Sequence, residues 1–264
     1  MLEASKKKEA FVLRKEKEIM SSFETAGLQG QATHSYPLIT RLLLWAGAVG
    51  PLLFVVVLLI EGATRPGYSA WHSFGSSLSL GSQGWMQITN FIVCGLLVLG
   101  FAIGLRQALQ TGKGSVWGPV LLGFFGLELI IAGIFVTDPG LGYPPGVPAL
   151  ANPTVHGIIH ALAGLAVFVS LSIASFVMTR RFAGDPAWRG WALYSLLTGL
   201  IILGSFVVQQ VLGNMDQHGA IQNAPVGLVQ RVGIIAGWIW VSLLASALLR
   251  KGRAPEAIAD FMPH

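Results

Sequence analysis

The chain has 264 residues, of which 53% are hydrophobic and only 11% charged. A soluble domain carries about 25% charged residues, so this composition, with a mean hydropathy of +0.65, excludes an ordinary soluble fold and indicates a membrane protein. The net charge of +5 does not indicate a nucleic-acid partner, because Lys and Arg collect in the tails and in alternate loops, as membrane topology requires.

Residues 1–37 are polar and charged. Lys6, Lys7, Lys8, Arg14, Lys15 and Lys17 alternate there with Glu9, Glu16 and Glu18. No short apolar core with a cleavage site is present, so a secretory signal is not expected. A solvated tail or short helix near the inner surface fits, and contact with anionic lipid would contribute about 1 kcal/mol per basic residue. Six apolar stretches follow, at residues 39–60, 85–109, 116–136, 154–178, 191–212 and 226–249. Each has roughly the 20 residues that cross a hydrocarbon core of about 30 Å. Runs of this length are too long for barrel strands, so helices are predicted. The expected fold is all-α: a polytopic six-transmembrane-helix bundle over 38–250, with a C-terminal tail over 251–264.

Charge sets the orientation. The N-terminal tail and Arg41, then Arg106 and Lys113, then Arg180, Arg181 and Arg189, then Arg250, Lys251 and Arg253 all fall on one side. The other side has Arg65 and, within a span, Arg231. Both termini are therefore predicted to be cytoplasmic, in a bacterial-type inner membrane, with outer loops at 62–84, 137–153 and 213–225. Gly100 and Gly104 have the small-x-x-x-small spacing that lets helices approach, and packing within one copy is the expected use. Trp45, Trp85, Trp117, Trp188, Trp191, Trp238 and Trp240 are read mostly as an interfacial belt. The lone Cys94 lies in an apolar run and allows no internal disulfide.

Polar residues gather at the outer end. His156 and His160 open the fourth stretch four residues apart, on one helix face and about 6 Å apart along the axis. Asp138 ends the third stretch, Asn90 lies early in the second, Gln209 and Gln210 close the fifth, and Gln230 and Arg231 begin the sixth. The first outer loop adds Arg65, Tyr68, His72 and Ser79. A water-accessible pocket in the outer leaflet would account for polar groups at one depth on five spans. Glu128 is deeper, and an ionised group there needs a partner. Arg231 is the expected one, as a structural pair or as part of a proton relay. Bonds from the histidines to Asp138 or to a backbone carbonyl would make them interhelical glue.

Two chemistries compete with simple binding. Zinc needs three protein ligands and an open position. His156 and His160 supply two, with Asp138 or His72 as the third. Gly157 occupies the place of the glutamate in H-E-x-x-H, so a separate base would be required. Haem is disfavoured, since two histidines on one helix face cannot ligate one iron axially. A serine triad of Ser79, His72 and Asp138 has no spacing that fixes its geometry. No phosphate-binding loop or dinucleotide fingerprint occurs. The outer loops carry rigid turns at Asp138-Pro139-Gly140 and Tyr143-Pro144-Pro145-Gly146, followed by Pro148 and Pro153. Trp71, Phe74, Leu78 and Leu80 predict that the first loop packs on the bundle.

These residues resemble a family. RPGYSAWHSFGSSLSLGSQGWMQITN, then GIFVTDPGLGYPPG with HGIIHALAG, then GLVQR are similar to three blocks of the "domain of unknown function 998" membrane proteins. The resemblance extends over about residues 39–250 and implies a multi-span membrane protein without an established activity. Its pattern falls on Arg65, Tyr68, Ser79, Leu80, Gly81, Asn90, Asp138, Pro139, His156, Gly157 and His160.

The expected function is binding of a membrane lipid or small amphiphile. Asp138, His156, His160 and Arg231 would hold the polar head, without a cofactor or a nucleic acid. The alternatives are a zinc-dependent hydrolase of a lipid amide or ester, and a proton-coupled transporter using Glu128, Asp138 and the histidines.

Overall fold

The computed structural model describes residues 14–18, 36–147 and 152–252. The chain divides into two units, residues 1–35 with 251–264, and residues 36–250. In the first unit residues 14–18 are helical, with an exposed Arg14–Glu18 pair at 3.8 Å. Lys6, Lys7, Lys8, Pro148 and Arg253 lie outside the described residues.

The second unit is built from six long helices: α1 (Leu38–Thr64), α2 (Trp85–Ala108), α3 (Trp117–Ile134), α4 (Val155–Phe182), α5 (Arg189–Gln217) and α6 (Val226–Lys251). All six are long and apolar enough to cross a membrane, and no strand occurs among the described residues. α1 runs past the predicted end at residue 60, because Glu61 is neutralised by Arg65 and both are buried. α4 continues to Phe182 because Arg181 Nη1 donates to the Thr111 and Lys113 carbonyls at 3.0 and 2.9 Å. α3 stops two residues early, at Ile134, and extended backbone follows.

Each helix packs on the next from α1 to α5. α6 fills the middle of this arc. Its Trp238 ring lies 5.0 Å from Phe54 of α1 and 4.6 Å from Phe125 of α3. Its Gly237 faces Leu171 of α4 and Ile202 of α5. Its Trp240 Nε1 donates to Ser195 Oγ of α5 at 2.9 Å. A helix apolar on every side belongs in such a position. Trp238 and Trp240 are therefore core residues, 2% and 0% exposed, and not part of the predicted belt.

Small residues set the spacing. A Cβ on Gly104 would lie 2.7 Å from Leu43 Cβ, so the Gly100/Gly104 face packs α2 on α1. A Cβ on Gly95 would lie 2.7 Å from the Gly126 carbonyl, which brings α2 and α3 backbone to backbone. Such close approach is how helices pack where lipid removes the hydrophobic drive.

Candidate functional site

The loop between α1 and α2 roofs the end of the bundle where α6 begins. Arg65 folds back to Glu61 at 3.0 Å, both side chains 5% exposed, and donates to the Leu80 and Gln83 carbonyls. This joins the two ends of the loop. Arg231, in the second turn of α6, holds the middle. Its Nη1 donates to the Ala70 and Gly227 carbonyls at 2.9 Å, and its Nη2 to Tyr68 Oη at 2.6 Å. The Tyr68 hydroxyl donates onward to the Phe74 carbonyl at 2.9 Å. Burial pushes the Tyr68 phenol above its ordinary pKa, and the Arg231 charge pulls it partly back. Gln230 Oε1 accepts from Gly75 N at 2.6 Å, and Leu228 N donates to the Trp71 carbonyl at 3.0 Å. His72 Nε2 lies 3.1 Å from Asp216 Oδ2. The loop between α1 and α2 is thus a fastened roof. Leu78 is fully buried beneath it, while Trp71 stays half-exposed with its indole N–H on the Asn223 carbonyl.

A second cluster caps α4. Asp138 accepts from Thr154 N at 2.8 Å and from Thr154 Oγ1 at 2.7 Å, and Thr154 Oγ1 accepts from Gly157 N at 3.0 Å. A carboxylate at a helix N-terminus is stabilised by the free N–H groups and the helix dipole. A Cβ on Gly157 would collide with the Asp138 carboxylate. Glycine stands between the histidines to admit that carboxylate. His160 Nδ1 lies 3.0 Å from the Ala132 carbonyl and 2.8 Å from that of Phe135. Carbonyls only accept, so Nδ1 carries a proton, and in the neutral form of the ring the lone pair is on Nε2. His156 is exposed, with its ring edge-on to Phe135.

Beside these clusters lies an internal space in two parts. The outer part is a vestibule of about 320 Å³ between α4 and α5, at the low end of ligand-site volumes. Gln210, Asn214 and Gln217 line its upper end, and Leu165, Phe168 and Phe206 its lower end. Gln217 and Phe206 are about 16 Å apart along α5, at 1.5 Å per residue. Leu165 is 43% exposed, so the vestibule reaches the lipid-facing surface. No Asp, Glu, Lys or Arg lines it among the described residues. The inner part, about 70 Å³, lies among α1, α2, α3, α4 and α6 and is mainly apolar. Ser76, His160, Gly164, Phe168 and Gln230 line both parts.

Of the predicted pocket residues, His160 and Gln230 line this space. Arg65, Tyr68, His72 and Arg231 hold the roof instead. Ser79 Oγ donates to the Ser76 carbonyl, so the serine triad does not form. Asn90 bonds to the Phe54 carbonyl and to Gln87. The predicted Glu128–Arg231 pair is absent: Glu128 accepts from Ser170 Oγ at 2.8 Å, joining α3 to α4, and Arg231 turns to the roof carbonyls. Asp138, His156 and His160 do not converge as a zinc site. Among the described residues no group of three His, Cys, Asp or Glu side chains is placed to hold a metal ion.

Gln87 and Gly164 are not among the predicted site residues, and Trp238 was expected in the interfacial belt. Signals pointed to two of the three: Gln87 is three residues before Asn90 on one helix face, and Trp238 is in mid-span, away from the interface where a belt tryptophan sits.

A family model described as "Protein of unknown function (DUF998)" matches residues 48–247. No curated protein and no solved structure matches the chain. With that match covering most of a chain whose described part holds six long apolar helices, this is a multi-pass membrane protein of the DUF998 family.

Proposed function

We propose that the protein binds an uncharged amphiphile drawn from the bilayer, with its head in the vestibule and its tail lying down the cleft between α4 and α5. The observation that carries this reading is the gradient along the cleft, from side-chain amides at the roofed end to Leu165 and Phe206 below, without a charged wall. Gln209, 1% exposed, lines the amide end with an Oε1 that has no partner, and so offers an acceptor to a ligand hydroxyl. A phosphate head would ask for Arg or Lys, and both buried arginines of the roof are occupied. The basic loops favour an inner membrane with both termini cytoplasmic, which puts the cleft in the outer leaflet.

Gly164 supplies the test. A Cβ there meets no atom within 4 Å, and the residue lines both parts of the space. Gly164→Leu should fill the cavity and leave the helices in place. Mass spectrometry of lipids retained by purified wild type should show an uncharged amphiphile reduced at least fivefold in the variant. Identical lipid profiles from two folded proteins would sink the reading.

A further inference from the structure

The inner chamber contains polar atoms that the packing of the helices does not explain. Gln87 is fully buried and Trp238 is 2% exposed; both line the chamber, and Gln87 Nε2 and Trp238 Nε1 have no hydrogen-bond partner. A buried donor without a partner is costly, and native proteins rarely keep one unless something else fills the role.

The direction of the Gln87 amide is fixed by a relay. The Phe54 carbonyl only accepts, so Asn90 turns its Nδ2 to it, at 3.2 Å. The same Nδ2 donates to Gln87 Oε1 at 3.2 Å. The Gln87 NH₂ is therefore left over, and a flipped amide would set donor against donor. Gln230 follows the same logic, since Gly75 N–H pins its Oε1 and frees its NH₂ in the wall of the same chamber. Three side chains with uncommitted N–H donors thus line a space of about 70 Å³ otherwise walled by residues such as Phe54, Leu58 and Leu129. No Asp, Glu, Lys or Arg is among its walls in the described residues.

Neutral donors in an apolar chamber too small for a head group match one small neutral acceptor. We propose that the chamber is a carbonyl-reading subsite, which takes the acyl carbonyl of an uncharged ester or amide amphiphile through the N–H groups of Gln87, Gln230 and Trp238. This rests on the cleft reading above. The head then lies in the vestibule, where Gln209 Oε1 and the His160 Nε2 lone pair accept its hydroxyls. The arrangement selects acyl over ether-linked amphiphiles.

The test uses a matched pair of probes, 1-oleoylglycerol and its ether analogue 1-O-oleylglycerol, which differ at the carbonyl. Binding is measured on the full chain in nanodiscs by displacement of a fluorescent monoacylglycerol. Wild type should prefer the ester by roughly tenfold, the worth of two or three modest hydrogen bonds. Gln87→Leu and Trp238→Phe should each cut that preference several-fold, lowering ester affinity more than ether affinity. Equal binding of ester and ether to wild type overturns the subsite while the cleft reading stands. Failure of both probes to bind, with wild type matching Gly164→Leu, overturns the cleft reading itself.

Discussion

Gly157 shows how one missing methyl group sets the meaning of a motif. In H-G-x-x-H the glycine looks like a degraded metal-protease signature, but its role is to leave room for a carboxylate over the first turn of α4. Gly157→Ala should lower unfolding stability by about 1–2 kcal/mol, the worth of a lost cap and its charge–dipole term. Gly164→Ala, about two turns further along the same helix and facing open space, should change it by less than about 0.5 kcal/mol. Denaturant titration in detergent compares the two, and equal losses would refute the capping role. The histidines illustrate why the site was only partly legible in sequence. Spacing put His156 and His160 on one face, but burial divided them: His160 is held by two carbonyls and reaches the cavity, while His156 remains at the surface. Arg231 was legible as buried and in need of partners. Its partners in the loop about 160 residues earlier were the Ala70 and Ser73 carbonyls and the Tyr68 hydroxyl, a contact that no spacing in the sequence records.

Among the elements, every span was legible from its apolar run, and the misplaced ends had local causes. α1 gained a turn through the Glu61–Arg65 pair, a charge that hydropathy counts against a helix and a partner four residues on cancels. Helix order around the bundle was not legible, because apolar residues cover nearly all sides of each span and leave no stripe to orient it. Glycines carry that information in three dimensions. A Cβ on Gly104 would lie 2.7 Å from Leu43 Cβ and 3.1 Å from its carbonyl carbon, whereas one on Gly100 would meet Leu43 Cδ2 at 3.4 Å and Ala46 Cβ at 3.9 Å, both side-chain atoms at ordinary contact distance. Gly104→Ala should therefore separate α1 from α2 at a cost of about 1–3 kcal/mol, and Gly100→Ala should be tolerated. Thermal unfolding in detergent distinguishes them; a Gly100 variant as damaged as the Gly104 variant would mean that the contact between these helices is set elsewhere.

For the whole molecule, an even number of spans among the described residues puts residues 36 and 250 at the same end of the bundle, and the flanking Lys and Arg favour the cytoplasmic side for it, the orientation proposed above. A fluorescent reporter fused after residue 264 should therefore be bright, and an exported phosphatase fused there inactive. The reverse pattern would turn the cleft to the other leaflet and change which lipids it meets.

The position of α6 has a consequence for biosynthesis. The ribosome delivers α1 to α5 before the helix at their centre. Until it arrives, the Ala70, Ser73 and Gly75 backbone groups that Arg231 and Gln230 engage have no counterpart, and the faces that close on Trp238 and Trp240 meet lipid or one another. The nascent bundle must hold an unfilled arc of five helices in the bilayer for the time needed to synthesise α6. A premature stop between α5 and α6 would remove the axis of the bundle and not merely its edge.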